Sequence, residues 1–296
     1  MKDFLERIRN CEIMVGDGAM GTMLFTKGLQ PGQPPEIFNI TKSNILEKIA
    51  QSYLDAGADI LETNTFGGTS LKLSFFSLED KTDEINRNAV LAVKKIAANR
   101  AYVSGSCGPT GKILKPYGDT EQETVYESFL RQIKILVDAG IDIVCIETMI
   151  DLNEAILAIK AAKSVSSTIP VIATMTFDAT PKGFYTVMGT SIFNAAKGLE
   201  KAGADIIGSN CGNGIENMVR IAQEFSKVTT LPLIIQSNAG LPIIQGTETI
   251  YPETPEFMAE RAKELVNIPV SVIGGCCGTT PEHIKAIKDI VNAMQH

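Results

Sequence analysis

Histidine is nearly absent from this chain. Among 296 residues only His283 and His296 occur, and tryptophan is missing altogether. So few imidazoles make a His-based metal site or a Ser-His-Asp triad hard to build. Basic charge is scarce as well: 27 Lys and Arg stand against 34 Asp and Glu, a formal net charge of −7. That balance argues against nucleic acid or an anionic membrane as partner, since either needs a basic footprint. No run of 18 apolar residues occurs, so no membrane span is expected. The start, "MKDFLERIRN", reads as a charged amphipathic helix without the apolar stretch of a signal peptide. The expected location is the cytoplasm, where six cysteines point to thiols or metal ligands more than to disulfides. No Pro/Gly/Ser-rich linker or low-complexity tract divides the chain, and the length is enough for a large core. A single domain over 1–296 is expected.

What the chain does contain is a rhythm. "DAGADILETNT" at 55, "DAGIDIVCIET" at 138 and "KAGADIIGSNC" at 201 share one order. Each reads as a helix end, a glycine that closes the helix, an aspartate, an apolar strand and a polar strand end. Five further segments continue it: 12–19, 101–109, 171–177, 232–240 and 270–278. Eight continuous apolar strands fit a parallel sheet buried on both faces. Amphipathic helices are expected between them, at 43–56, 83–98, 121–139, 152–166, 191–202, 215–228, 255–266 and 281–293. "GLQPGQPPEIFN" (28–39) reads as a loop, because its prolines do not sustain a helix. Eight strand–helix units in this length predict an α/β fold, the (β/α)8 barrel. The competing doubly wound sheet more often shows G-x-G-x-x-G after its first strand, a pattern that "GDGAMG" fails.

In such a barrel the chemistry sits at the C-terminal strand ends. These carry Asp17, Glu62 with Asn64, Ser106 with Cys107, Glu147, Thr176, Asn210 with Cys211, Asn238, and the pair Cys276–Cys277. Adjacent residues of a regular strand face opposite ways, so the pair shares a partner only if the backbone turns. Glycines 274, 275 and 278 permit that turn. Three thiols on strands six and eight suit a sulfur-rich zinc site with one open position. Each residue also has a plainer reading. Cys145 within "IVCIE" is expected to be a small buried hydrophobe, and Cys11 inert. Cys107 sits in a Gly-flanked segment near the mouth, and Glu62 would ordinarily pair with a neighbouring Lys or Arg or hold a loop. A vicinal disulfide switch would account for Cys276–Cys277 but for neither Cys211 nor the carboxylates. A phosphate-binding barrel, whose backbone N–H sites would fall at "SNAG" and "GGCCG", usually adds a Schiff-base lysine or a carboxylate–metal pair, and no Lys stands among the strand ends.

At this level of detail the chain resembles the homocysteine S-methyltransferase family, most closely the homocysteine-binding domain of cobalamin-dependent methionine synthase. The resemblance runs nearly end to end. It is carried by "GDGAMGT" (16–22), "ETNTFGG" (62–68), "GPTG" (108–111), "IET" (146–148), "NCG" (210–212), "NAGLP" (238–242) and above all "GGCCGTTPEHI" (274–284). It implies that Cys211, Cys276 and Cys277 hold one catalytic Zn2+ and are the catalytic residues. It implies that Asp17 and Glu147 hold the substrate ammonium, with backbone N–H groups near Gly18 meeting its carboxylate. It also implies that Asn238 occupies the open metal position until substrate displaces it. "NCGNGIE" departs from the more usual Asn-Cys-x-x-Gly-Pro continuation, with Ile215 standing where proline would.

The chemistry explains the residue types. A free thiol with pKa near 8.5 is only about three per cent thiolate at pH 7, whereas zinc coordination deprotonates it outright. Three protein thiolates leave the metal site with a net charge of −1, so a bound sulfur stays nucleophilic. A helix opened by Thr279, Thr280 and Pro281 would turn its positive end toward them. An ammonium gains on the order of 4 kcal/mol from a close carboxylate at an effective dielectric of 20, before desolvation. The expected reaction is methylation of homocysteine to methionine. Since a barrel of this size fills the chain, methylcobalamin on a separate corrinoid protein is the expected donor. His283 in "PEHIKA" and His296 fit no D-x-H-x-x-G corrinoid-ligand motif. A self-sufficient enzyme using a sulfonium donor such as S-methylmethionine, or a zinc- or thiol-binding subunit without turnover, are the alternatives.

Overall fold

Three aspartates of the repeated motif show how the fold is assembled. Asp59, Asp142 and Asp205 each accept the backbone N–H that opens or continues the preceding barrel strand: Val15, Val103 and Val171, all at 2.8 Å. In each repeat the preceding glycine (Gly57, Gly140, Gly203) has a left-handed backbone, with φ of 94°, 96° and 103°, which ends its helix. The motif is thus a helix stop joined to a strand clamp.

The computed structural model describes residues 2–246 and 248–295; His296 lies outside them. Eight parallel strands form the barrel: β1 (Met14–Val15), β2 (Ile60–Glu62), β3 (Tyr102–Cys107), β4 (Ile143–Met149), β5 (Val171–Met175), β6 (Ile206–Asn210), β7 (Leu233–Ser237) and β8 (Val270–Gly275). They neighbour one another in chain order, and β1 pairs with β8 through Met14–Val272 and Val15–Ile273. A parallel bridge between Gly16 and Ile60 joins β1 to β2 and closes the ring. The expected (β/α)8 barrel is the fold observed.

The outer helices span Ser43–Asp55, Thr82–Ala97, Gln122–Ala139, Leu152–Val165, Ile192–Ala202, Ile215–Phe225, Pro255–Val266 and Pro281–Met294. Each lies within a few residues of its expected place. Three features differ from the sequence expectation. The first strand is only two residues long, because the backbone leaves it at Gly16 to form the site. The 28–39 segment is not all loop: Pro35–Ile37 is a 3-10 turn running into the short helix Phe38–Thr41. Proline opens that turn rather than breaking it, since the first helical position needs no N–H donor. Two antiparallel hairpins, Asp178–Thr180 with Gly183–Tyr185 and Ile243–Gln245 with Glu248–Ile250, lie in the loops after β5 and β7.

The two ends of the barrel are built differently. Met14, Ile60, Tyr102, Ile143, Cys145, Ile172, Ile206, Ile234 and Val272 pack into one apolar cluster with Phe4 and Ile8 of the N-terminal helix Phe4–Arg9. Phe4 meets Tyr102 edge-on at 5.2 Å between ring centres. Burying these side chains stabilises the closed end by roughly 1.5–3 kcal/mol for each large aliphatic or aromatic group. At the other end the strands finish in polar residues.

Candidate active site

The backbone turn that two adjacent cysteines require is present. Beyond β8, Thr279 returns both its N–H and its hydroxyl to the Cys276 carbonyl, at 3.1 and 2.7 Å. Gly278 takes φ +81° to complete the turn. Cys211, just past β6, is itself left-handed at φ +60°, an unusual state for a residue with a Cβ. These two departures from β geometry bring the sulfurs of Cys211, Cys276 and Cys277 within 4.8 Å of one another, with Cys211 and Cys277 at 3.9 Å. The end of β7 stitches both loops in place. The Cys211 and Cys276 N–H groups donate to the carbonyls of Gln236 and Ser237, and the Ala239 N–H donates to the Cys277 carbonyl.

The three thiols share one negative charge readily. Hydrogen bonds from Cys276 and Cys277 pull Cys211 down to about 3, and the Asn238 amide contributes in the same direction. The proton-bearing partners are pushed up, Cys277 to about 11, chiefly by their hydrogen bonds to Cys211. Asn238 is buried beside this cluster, and its Oδ1 has no hydrogen-bond partner.

Next to the thiols the barrel interior holds carboxylates. Glu147, at the end of β4, accepts a hydrogen bond from Ser106 Oγ on one oxygen and from Asn210 Nδ2 at 2.9 Å on the other. Glu62 accepts from Gln236 Nε2 at 3.1 Å. The expected Lys or Arg partner of Glu62 does not appear among the described ion pairs. Its carboxylate lies instead within 4.8 Å of a Glu147 oxygen and of the Cys145 sulfur. Asp17 accepts the Glu62 N–H at 2.9 Å, and its second oxygen is unpartnered. Burial, and then the charge of Glu62, push Asp17 and Glu147 well above the usual carboxylate range. Burial raises Glu62 too. Desolvation that no ion pair offsets is the physical cause in all three.

One cavity of about 370 Å³ connects the two groups. Its wall includes Gly18, Glu62, Ser106, Glu147, Cys211, Cys276 and Cys277, with Phe66, Lys72 and Phe76 from the loop after β2. Of the residues expected at the site, Gly18, Glu147 and the three cysteines line this space. Asp17 and Asn238 stand behind the wall, Asp17 through its bond to the Glu62 N–H. Gly18 is required by close approach, since a Cβ there would meet Thr279 Oγ1 at 2.7 Å.

The remaining cysteines fall as expected, with one refinement. Cys11 is exposed. Cys107 is the last residue of β3, but it is fully buried against the outer helices rather than open to the mouth. Cys145 is a buried floor residue, yet its sulfur also lies within 4.8 Å of Glu62 and Glu147 oxygens, and burial holds it protonated. Gln236 was invisible as a site residue, although a lone polar side chain inside the apolar run "PLIIQS" was a usable signal. Asn210 stood out only as the neighbour of a cysteine. In the fold its Oδ1 accepts from Thr148 N and Thr174 Oγ1, while its Nδ2 donates to Glu147 and Thr148, which fixes the β4 and β6 ends together.

Comparison with known proteins points the same way. Residues 14–291 match the model of the family described as homocysteine S-methyltransferase. The chain is 33% identical to methionine synthase of Mycobacterium leprae over 304 residues, covering 96% of this chain and 25% of that protein. It is 32% identical to methionine synthase of Mycobacterium tuberculosis, covering 93% and 24%. The chain thus spans about a quarter of the length of these relatives. The metallated form of the homocysteine methyltransferase MmuM from Escherichia coli superposes with a TM-score of 0.78 at 21% identity, covering 94% of this chain and 96% of that one. At that identity the likeness concerns the barrel fold. The match of sequence along almost the whole chain carries the assignment: this protein belongs to the homocysteine S-methyltransferase family.

Proposed function

We propose that the chain binds homocysteine beside a zinc ion held by Cys211, Cys276 and Cys277, and that the homocysteine sulfur is methylated there to give methionine. The observation that carries this reading is the meeting of three thiols from two separate strands beside buried carboxylates that make no ion pair among the described residues. The donor set fits zinc. Sulfurs bound at about 2.3 Å in a tetrahedron lie about 3.8 Å apart, and Cys211 and Cys277 already stand at 3.9 Å. The unpartnered Asn238 Oδ1 offers an oxygen for the fourth position in the absence of substrate. Bound there, zinc supplies a Lewis acid that keeps a substrate thiol deprotonated near neutral pH.

The chain's own residues do the rest. Glu147 and Glu62 face the cavity and provide the negative charge that an α-ammonium needs, with Asp17 behind them. Ser106 and Asn210 hold the two Glu147 oxygens, so the carboxylate cannot rotate away from the ammonium. Backbone N–H groups near Gly18, which lines the same cavity, would meet the substrate carboxylate. In the transfer a sulfur–carbon bond forms, the donor keeps the electron pair of its broken bond to methyl, and the thiol proton passes to solvent. The expected donor is methylcobalamin on a separate corrinoid protein, a reading supported by the sequence similarity to methionine synthases. The sulfonium donor is the second reading.

Metal analysis of the purified protein is expected to find about one zinc per chain. Zinc-loaded protein is then offered homocysteine with either methylcobalamin or S-methylmethionine. Absence of zinc would remove the metal reading, and turnover with the sulfonium but not with the corrinoid would reverse the choice of donor.

A further inference from the structure

The segment Tyr251–Pro252–Glu253, between the second hairpin and helix Pro255–Val266, crosses all three loops that frame the thiols. On the loop after β6, Glu253 Oε2 accepts the Ile215 N–H at 3.0 Å, and a Cβ on Gly214 would lie 2.0 Å from Glu253 Oε1. On the loop after β7, the Glu253 N–H donates to the Ala239 carbonyl at 2.9 Å, and Pro252 packs on Gly240. On the loop after β8, the Tyr251 ring covers Gly278, where a Cβ would lie 2.1 Å from its Cγ. His283 locks the segment from below. Its Nε2 lies 2.9 Å from the Glu253 carbonyl, and its Nδ1 accepts the Thr280 N–H at 3.1 Å. Since Nδ1 accepts, Nε2 carries the hydrogen and donates, so one neutral imidazole serves both ends. Neither the Glu253 nor the His283 side chain lines the cavity.

We propose that Glu253 and His283 are positioning residues of the thiol site. The Glu253 carboxylate holds the start of helix Ile215–Phe225, and with it the Cys211 loop. Its carbonyl, through His283, holds Thr280 and the turn that carries Cys276 and Cys277. One residue therefore adds a second link between the two sulfur-bearing loops, beyond the backbone stitching at the end of β7. Ile215 enables this arrangement, because a proline at that position would lack the N–H that Glu253 accepts. The inference rests on the zinc reading of the cluster.

The test is zinc affinity, measured by competition with a chromophoric chelator, together with the cobalt-substituted absorption spectrum. Glu253→Ala and His283→Ala are expected to weaken zinc binding about 10–100-fold, the range found when groups behind metal ligands are removed. They are also expected to alter the cobalt spectrum. His283→Gln, whose amide both accepts and donates, is expected to recover most of the affinity. Glu154→Ala serves as the control: it removes a buried carboxylate that accepts from Thr110 N and Oγ1, away from the thiols, and is expected to cost stability without zinc affinity. Where an alanine variant does not fold, Gly214→Ala displaces Glu253 without deleting a polar group and is expected to weaken zinc binding. Folded variants that bind zinc as the wild type does, or a control that loses as much affinity as they do, overturn the proposal. A wild type without zinc affinity overturns both this inference and the metal reading beneath it.

Discussion

Carboxylates at the two ends of the barrel live under opposite rules. At the closed end, Asp59 lies 2.6 Å from Lys288 Nζ and 3.6 Å from Arg7, and it also accepts the Val15 N–H. Asp205 lies 2.7 Å from Lys163 and accepts the Val171 N–H. At the open end, Asp17, Glu62 and Glu147 are buried with one another and with neutral donors. The first arrangement ties strands together. The second stores unfavourable charge that a cationic ligand can relieve, which is how a binding site differs from a brace.

The comparison can be tested from both ends, and the largest effect belongs to the thiols. The double variant Cys276→Ala, Cys277→Ala is expected to lose zinc completely, whereas Asp59→Ala retains about one zinc per chain; metal analysis reads both. Next in size, Asp59→Ala is expected to lower stability by about 3 kcal/mol in urea denaturation, because it strands Lys288 and Arg7 in a half-buried setting. Glu147→Gln is expected to do the reverse. It removes a buried charge while Ser106 and Asn210 can still hydrogen-bond the amide, so the ligand-free protein is expected to gain about 1 kcal/mol. Homocysteine binding to the same zinc-loaded variant is expected to weaken at least about tenfold, by calorimetry. Equal affinity would show that this end binds no ammonium.

The pH dependence sharpens the same contrast. A carboxyl whose folded pKa is raised carries no penalty below its unfolded pKa and the full penalty above its folded pKa. Ligand-free protein is therefore expected to become more stable as pH falls from the raised values of Glu62 and Glu147 toward the ordinary carboxylate value. The double variant Glu62→Gln, Glu147→Gln is expected to flatten that slope, as read from urea midpoints across pH. The smallest effect on the site itself is expected from Cys145→Ala. The small cavity costs on the order of 1–2 kcal/mol and leaves zinc content unchanged.

Much of this was legible along the chain, for identifiable reasons. Helix positions followed from apolar residues repeating on one face, and helix ends from Gly57, Gly140 and Gly203. The closed-end aspartates could be seen as a repeat, but their partners could not. Lys288 is 229 positions from Asp59, and no local pattern connects them. The thiols were legible because three cysteines at strand ends have few other uses in a chain with two histidines. The partner of Glu62 was not legible: no Lys or Arg pairs with it among the described ion pairs, and Gln236, 174 positions away, donates to it instead.

The sequence by itself determined the eight strand–helix units, the end of the barrel that carries chemistry and the sulfur-rich character of the site. These depend on periodicity and residue type, which are local properties of a chain. Tertiary structure alone decided that Gln236 meets Glu62, that Asn210 holds Glu147, and that Glu253 with His283 joins the Cys211 loop to the Cys276–Cys277 loop. Ring closure fixes those contacts. It places residues far apart in the chain within hydrogen-bond distance, where burial makes each unpaired group costly and each pairing specific.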